Sequence, residues 1–126
     1  MIELSPSEDS FKVNDWWPFK SIDSEKGVNL LLQLNGGFGI KNDKHELVAC
    51  VLKNEIFAIG LLFVMEEERR NGFADILIHK YNQIFIEKFN LDPIAFIVKD
   101  NSVSRAFFGK IGFKEVDYVT WIGVKN

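Results

Sequence analysis

The feature that most constrains this chain is an apolar run followed by a short charged turn and a long amphipathic segment. Residues 56–64 are typical of a strand, and residues 73–89 place apolar side chains at the three- and four-residue spacing of a helix. The turn between them contains Arg69, Arg70 and Gly72. A helix N-terminus presents unpaired N–H groups and the positive end of the helix dipole, and glycine lets an anion approach closely. This order favours a phosphate or pyrophosphate site.

A solvated turn explains the same residues without a ligand. Charged turns often join a strand to a helix, and residues 66–70 fit that description because Asp, Glu and Arg side chains are usually exposed. The glycine spacing matches neither the Walker loop nor the dinucleotide-binding fingerprint. Both interpretations therefore stay open from this stretch alone.

Hydrophobic periodicity predicts the remaining elements. Strands are expected at residues 2–4, 38–40, 47–52, 56–64 and 94–98, from residue 113 onward, and at 118–124. Helices are expected at residues 6–16, 24–35, 73–89 and 102–111. The strand–helix–strand unit at 56–98 should be parallel and right-handed, whereas the earlier hairpins should be antiparallel. The predicted fold class is α/β (α+β), with a mixed central sheet of six to seven strands and helices on both faces.

Each predicted helix has an apolar face and a recognisable end. The expected face residues are Phe11, Val13 and Trp16; Val28, Leu31, Leu32 and Leu34; Phe73, Ile76, Leu77, Tyr81, Ile84 and Phe85; and Val103, Ala106, Phe107 and Ile111. The expected N-caps are Asp23 or Ser24 for the second helix and residues 100–102 for the last, which Gly112 should end in a left-handed conformation. Residues 94–98 lack alternation, which predicts a buried strand.

The length, net charge and apolar runs of the chain limit the classes of ligand and partner that it is expected to bind. A chain of 126 residues is expected to form a single domain, residues 1–126, and its net charge of −3 argues against nucleic-acid binding. No apolar run is long enough to predict a membrane span. The Arg69–Arg70 pair is the local basic spot, which suits a small anionic ligand better than a polyanion.

The one cysteine, Cys50, lies in the apolar run 47–52 and is expected to be a buried, inert thiol. No residue pattern predicts a metal site. A chain without a disulfide or a signal peptide is expected to be intracellular, and cytoplasmic by default.

Two motifs resemble those of the GCN5-related N-acetyltransferase (GNAT) superfamily. Residues 69–74, Arg-Arg-Asn-Gly-Phe-Ala, fit its signature Arg/Gln-x-x-Gly-x-Gly/Ala after a strand and at the start of a long helix. Residues 101–113 resemble a second motif, Asn-x-x-Ala-x-x-Leu-Tyr-x-Lys-Leu-Gly-Phe. Residues 13–16 and Trp121 look most like the C-terminal half of glycine N-acyltransferase-like proteins. That likeness implies a preceding domain of similar size, is compatible with a homodimer, and allows a mitochondrial location if a longer chain carries a presequence.

The resemblance implies a site for acetyl-CoA or another acyl-CoA. The backbone of Leu62, Phe63 and Val64 would pair with the pantetheine arm. Asn101 would donate to that arm, while Phe107 and Phe108 would pack along the cofactor; otherwise Asn101 is a helix cap and both phenylalanines are core. The pyrophosphate would bind the N–H groups of Arg69, Arg70, Asn71, Gly72, Phe73 and Ala74.

The implied reaction is direct attack of the amine of a small acceptor or amino acid on the thioester, with backbone N–H groups near Val64 and Met65 for the oxyanion. Family members often have a tyrosine acid where this chain has Phe108, and glycine N-acyltransferases have a glutamate base where it has Ala58. No base is assigned, because each candidate is also typical of the surface: His45, Glu55, Glu66, Glu67, His79 and Asp100. The alternative is a non-catalytic acyl-CoA-binding or interaction domain.

Overall fold

The computed structural model describes residues 1–17, 20–53 and 58–116. The chain forms two compact units, Met1–Phe96 and Ile97–Asn126. The first unit contains a sheet of four antiparallel strands in the order β1-β2-β3-β4. Their bounds are Ile2–Glu3 for β1, Gly37–Lys41 for β2, Leu47–Lys53 for β3 and Ile59–Val64 for β4.

The described part of the sheet is smaller than the six to seven strands predicted. Residues 94–98 do not form a strand: Ile59 N–H donates to Ile94 O over 2.8 Å, and one parallel bridge joins Ile59 to Ala95. Ile94 and Val98 are exposed rather than buried. A continuous apolar run is compatible with a buried strand, but only repeated backbone pairing makes one. Residues 113–116 are not a strand either, and the predicted strand at 118–124 lies outside the described residues.

Of the four α-helices in the described residues, three belong to the first unit. They are α1 (Pro6–Asp15), α2 (Ser24–Asn35) and α3 (Phe73–Phe89), and α4 (Ser102–Lys110) lies in the second unit. The bounds of α3 agree with the prediction. Asp23 is the N-cap of α2 without a side-chain cap bond, whereas Ser24 Oγ accepts from Ser21 N–H over 2.9 Å and donates to Asn14 Oδ1.

The core lies on both faces of β3, whose residues are all buried. On one face, α1 and α2 pack against the sheet in a cluster that includes Val13, Leu32, Cys50 and Leu52. On the other face α3 contacts β2, β3 and β4. The buried face of α3 consists of Leu77, Ile78, Tyr81 and Phe85. Helices therefore cover both faces of the sheet, as the periodicity predicted.

Five predicted helix-face positions are wrong. Phe11, Leu34, Ile76, Val103 and Ala106 are exposed. In α3 the buried face is rotated by about one residue, because Ile78 rather than Ile76 turns toward the sheet. Apolar residues outnumber the positions that a single helix face can bury, so periodicity alone does not choose among them.

Cys50 is the buried thiol that the sequence predicted. Its side chain is fully buried in the β3 core. Burial, with a smaller contribution from the Asp9 carboxylate, raises the pKa of Cys50 to about 12. At neutral pH the thiol therefore stays protonated, and a protonated thiol is a poor nucleophile. No helix among the described residues is both long and apolar enough to cross a bilayer.

Candidate functional site

The turn between β4 and α3 has an open backbone. A short 3-10 turn, Glu66–Glu68, follows β4, and α3 begins at Phe73. Gly72 precedes the helix in the left-handed conformation, with φ 73° and ψ 18°. A Cβ built on Gly72 would meet no atom within 4 Å. Glycine is therefore favoured by the positive φ, and no neighbouring side chain covers this point of the turn.

Two of the predicted phosphate-binding N–H groups are used within the turn. Arg69 N–H donates to Glu66 O over 3.4 Å, and Asn71 N–H donates to Glu68 O over 3.2 Å. Four others have no acceptor within the described parts of the chain: Arg70, Gly72, Phe73 and Ala74. Unpaired donors at a helix N-terminus attract an anion, because the helix dipole places partial positive charge there.

The two arginines of the turn differ. Arg69 Nε donates to the carbonyl oxygen of Val64 over 2.9 Å, and its guanidinium lies 5.8 Å from the centroid of the Phe63 ring. Arg70 is exposed and makes no hydrogen bond or ion pair to any residue the structure describes. Asn71 Nδ2 donates to Glu68 Oε2 over 2.7 Å. The side chains of Arg69 and Asn71 thus bind neighbouring protein groups, and Arg70 faces solvent.

One edge of β4 is open beyond its first residue. Met65 N–H donates to Val48 O over 2.9 Å, across the ladder with β3. Because neighbouring residues of a strand point their backbone groups to opposite edges, Leu62 and Val64 present theirs to the edge away from β3. Among the described residues, that edge makes a single backbone bridge, from Ile59 to Ala95, and pairs with no other strand. The N–H and carbonyl of Leu62 and the N–H of Val64 thus have no partner among the described residues, whereas the Val64 carbonyl accepts from Arg69 Nε.

The remaining predicted cofactor residues belong to the second unit. Asn101 Oδ1 accepts from Ser104 N–H over 3.1 Å and caps α4, as the alternative interpretation expected. Phe108 is buried, with its ring edge-on to Phe107 and Phe113 at 5.3 and 5.1 Å. Gly112 follows α4 with a positive φ of 104°, which agrees with the predicted stop. The cap uses the amide oxygen of Asn101 and leaves its amide nitrogen without a partner among the described residues.

The candidate acids and bases lie at the surface. Exposed side chains in the described ranges include Glu66, Glu67, Asp100, His45 and His79. Glu55 lies outside those ranges. His79 Nδ1 is 2.8 Å from the Asp75 carbonyl oxygen, one helical turn earlier.

The two positions at which the resemblance implied acid–base chemistry carry no titratable group, because one is Ala58 and the other is Phe108. In the portion of the chain that the structure describes, no three His, Cys, Asp or Glu residues form a metal-binding group.

A ring stack beside the turn was missed by the sequence reasoning. Trp16, at the end of α1, stacks on Phe63 with centroids 4.6 Å apart and planes at 20°. Lys12 Nζ lies 5.6 Å from the Trp16 ring, on whose face a cation is favoured. No spacing in the sequence joins Trp16 to Phe63, which are 47 positions apart. Only the packing of α1 on the sheet brings the two rings together.

Comparison with solved structures identifies the fold as that of the GNAT acetyltransferases. The aminoglycoside antibiotic 6′-N-acetyltransferase of Acinetobacter baumannii matches with a TM-score of 0.75 and 18% identity, over 99% of this chain and 97% of that chain. Aminoglycoside N-acetyltransferase AAC(6′)-Iy, in complex with a bisubstrate analogue of CoA, matches with a TM-score of 0.77 and 15% identity, over 99% and 97%.

The chain belongs to the FR47-like protein family, which matches residues 37–122. A structure of a Drosophila protein is similar, with a TM-score of 0.83 and 28% identity, over 91% of this chain. This chain spans 39% of that Drosophila chain. A search of curated protein sequences gave no significant match.

Proposed function

We propose that this protein is an N-acyltransferase that moves an acyl group, acetyl in the simplest case, from acyl-CoA to the amine of a small acceptor or amino acid. The turn at residues 69–74 would bind the pyrophosphate, and the open edge of β4 would pair with the pantetheine arm. Membership of the FR47-like family and the acetyltransferase fold support this proposal. A closer relation to glycine N-acyltransferase-like proteins is part of the proposal, as is the acceptor class.

The observation that carries the proposal is the open turn at Gly72. Its positive φ and the absence of any atom within 4 Å of a built Cβ leave room for a phosphate against the backbone. Unpaired N–H groups at the start of α3 supply donors. The outward backbone groups of Leu62 and the Val64 N–H lie at the end of β4 in the same unit, whereas the Val64 carbonyl is bonded to Arg69 Nε. A solvated cap would not need this combination of open space, unpaired helix donors and strand-edge groups that have no partner among the described residues.

The chain supplies positioning and one oxyanion donor. Of the two predicted donors, Met65 N–H is already bonded to Val48 O, so Val64 N–H is the one that points to the open edge. A fixed backbone donor at the reacting carbonyl stabilises the developing negative charge without reorganisation. The side chains of Ala58 and Phe108 can neither accept nor donate a proton. A water molecule would therefore deprotonate the acceptor ammonium, and the CoA thiolate would leave unprotonated.

A non-catalytic acyl-CoA-binding module is the second candidate. The observation that favours it is the apolar character of both family acid–base positions: Ala58 is buried, and Phe108 packs against Phe107 and Phe113. This candidate keeps the turn and the strand edge as a binding site and requires no turnover.

Two measurements separate the candidates. A thermal shift with CoA and with acetyl-CoA tests the site, since a ligand at about 100 times its Kd adds roughly 2.7 kcal/mol to the stability. Release of CoA thiol from acetyl-CoA, with a panel of small amines and amino acids, then tests turnover. A shift with release supports the enzyme, and a shift without release supports the binding module. The absence of any shift at millimolar CoA would contradict both.

A further inference from the structure

We propose that Arg69 is a positioning residue, which fixes the end of β4 by donating a hydrogen bond to the Val64 carbonyl, and that Arg70 supplies the charge for the phosphate. The part of this inference that is tested by enzyme kinetics rests on the proposed function. The two adjacent arginines of the turn would thus have different roles.

The carbonyl of Val64 needs a donor from outside the ladder. Since Met65 N–H bonds to Val48 O, the Val64 carbonyl points to the opposite edge of β4. Val64 is buried, with 8% of its surface exposed, and an unpaired buried carbonyl is costly. Arg69 Nε donates to this carbonyl over 2.9 Å. The side chain of the turn therefore closes back on the strand that precedes it.

The same side chain lies near one ring of the stack. The Arg69 guanidinium lies 5.8 Å from the Phe63 ring, and Phe63 stacks on Trp16 of α1 at 4.6 Å. Arg69 therefore connects the turn to β4 directly, and Phe63 connects β4 to the end of α1. The residue whose N–H is proposed as the oxyanion donor, Val64, has its own carbonyl fixed by this contact. Loss of the contact should disturb the reacting end of the site as well as the turn.

The donating atom makes the inference testable. In arginine Nε is bonded to Cδ, and in glutamine the amide nitrogen Nε2 is also bonded to Cδ. Arg69→Gln therefore keeps a donor at the same place along the side chain and removes the charge. Arg69→Met keeps a side chain of similar apolar length and removes both. Arg70→Gln removes the neighbouring charge and leaves the Val64 contact intact, so it is the matched control.

The experiment compares acetyl-CoA with S-acetylpantetheine, which lacks every phosphate. Arg69→Met is expected to lower kcat/KM by about tenfold or more with both donors, and Arg69→Gln, which keeps a donor for the Val64 carbonyl, is expected to recover most of that loss. Arg70→Gln should weaken the reaction with acetyl-CoA only, and added salt should shrink that defect. If the Arg69→Met defect disappears with S-acetylpantetheine, or if Arg69→Gln is as defective as Arg69→Met, the inference is wrong.

A readout without ligand keeps this inference separate from the proposed function. Arg69→Met is expected to lower Tm by about 3–6 °C and to change the emission of Trp16. Arg69→Gln keeps the hydrogen bond but not the guanidinium and should show a smaller change in both, whereas Arg70→Gln should change neither appreciably. Trp16→Phe identifies the contribution of that tryptophan to the emission. If the unmodified protein neither binds CoA nor turns over, the proposed function fails, and this arm still decides the role of Arg69. Equal Tm values for all three arginine variants would overturn it.

Discussion

Strand β3 and the turn that follows β4 lie in the same unit but differ in burial and in backbone hydrogen bonding. Every residue of β3 is buried, and both of its edges are paired, with β2 and with β4. The turn from Glu66 to Gly72 contains no buried residue and leaves N–H groups without acceptors among the described residues. In β3 the backbone N–H and C=O groups are paired within the sheet, whereas in the turn several N–H groups have no acceptor among the described residues.

This difference separates what holds the fold from what binds a ligand. Substitutions in β3 should change the free energy of unfolding because they remove buried contacts. Substitutions at Arg70 and Gly72 in the turn should mainly change ligand affinity, because these residues are exposed. Arg69 is the exception in the turn, since its bond to the Val64 carbonyl should also contribute to stability. Lys53 shows how closed β3 is, since even this lysine is buried, with its ammonium 4.5 Å from the Phe89 ring.

The largest expected effect is in the core. Leu52→Ala removes a fully buried side chain from the cluster under α1 and α2 and should lower the free energy of unfolding by about 3 kcal/mol. Asn71→Ala in the turn removes an exposed hydrogen bond to Glu68 and should cost only about 0.5 kcal/mol. Urea unfolding at equilibrium measures both. Similar costs for the two variants would contradict the contrast between the regions.

Gly72→Glu should remove ligand stabilisation. The new carboxylate would occupy the open space beside the unpaired N–H groups, so the CoA-induced gain of about 2.7 kcal/mol at saturating ligand should vanish. Gly27→Glu is the matched control, because Gly27 lies in α2, also meets no atom within 4 Å of a built Cβ, and has no positive φ. A CoA shift that survives in Gly72→Glu would place the ligand elsewhere.

Alkaline pH should weaken the core through Cys50. Burial holds the pKa of the folded thiol near 12, while an unfolded thiol loses its proton near 9.0. Between these values the folded protein binds more protons, so the free energy of unfolding falls as pH rises, by about 1 kcal/mol from pH 9 to pH 10.

Cys50→Ala isolates this contribution. The raised pKa of Tyr81 acts in the same direction, and the lowered pKa of Lys53 acts in the opposite one. Urea unfolding at pH 8, 9 and 10 should show a shallower decline for Cys50→Ala than for the unmodified protein. Parallel declines would mean that Cys50 does not titrate as its burial requires.

The smallest effect is a difference in sign between two glycines. Gly72→Ala should destabilise by about 1 kcal/mol, because an alanine at φ 73° is strained although its Cβ has room. Gly27→Ala, inside α2, should stabilise by about 0.5–1 kcal/mol, since alanine is the better helix former. Thermal unfolding of the two variants gives the comparison. A stabilised Gly72→Ala variant would show that the left-handed conformation is not required.

Local sequence patterns predicted the helix bounds better than they predicted strand pairing and burial. The bounds of α3 follow from the glycine before it and from its periodicity, and the structure agrees at both ends. The buried strand expected at residues 94–98 is wrong, because pairing depends on a partner edge that apolar composition cannot specify. Ile76 and Phe11 are exposed for a related reason, since only the tertiary contacts decide which apolar residues face the sheet.

The candidate site divides in the same way. The turn and its glycine could be predicted because a positive φ and a helix N-terminus are local properties of residues 69–74. The contact from Arg69 to the Val64 carbonyl could not, because it depends on the direction in which a strand carbonyl points. The predicted use of Met65 N–H was wrong for the same reason: the ladder register, which no local pattern fixes, gives that group to Val48.

The burial of Cys50 has a practical consequence for an assay of the proposed reaction. It is the one cysteine in the chain, and the folded protein keeps it both unexposed and protonated. A colorimetric reagent that reacts with thiolates should therefore report liberated CoA with almost no background from the protein at neutral pH. Any slow signal in a protein-only blank would instead count the molecules that have opened, so the same cuvette can monitor turnover and unfolding.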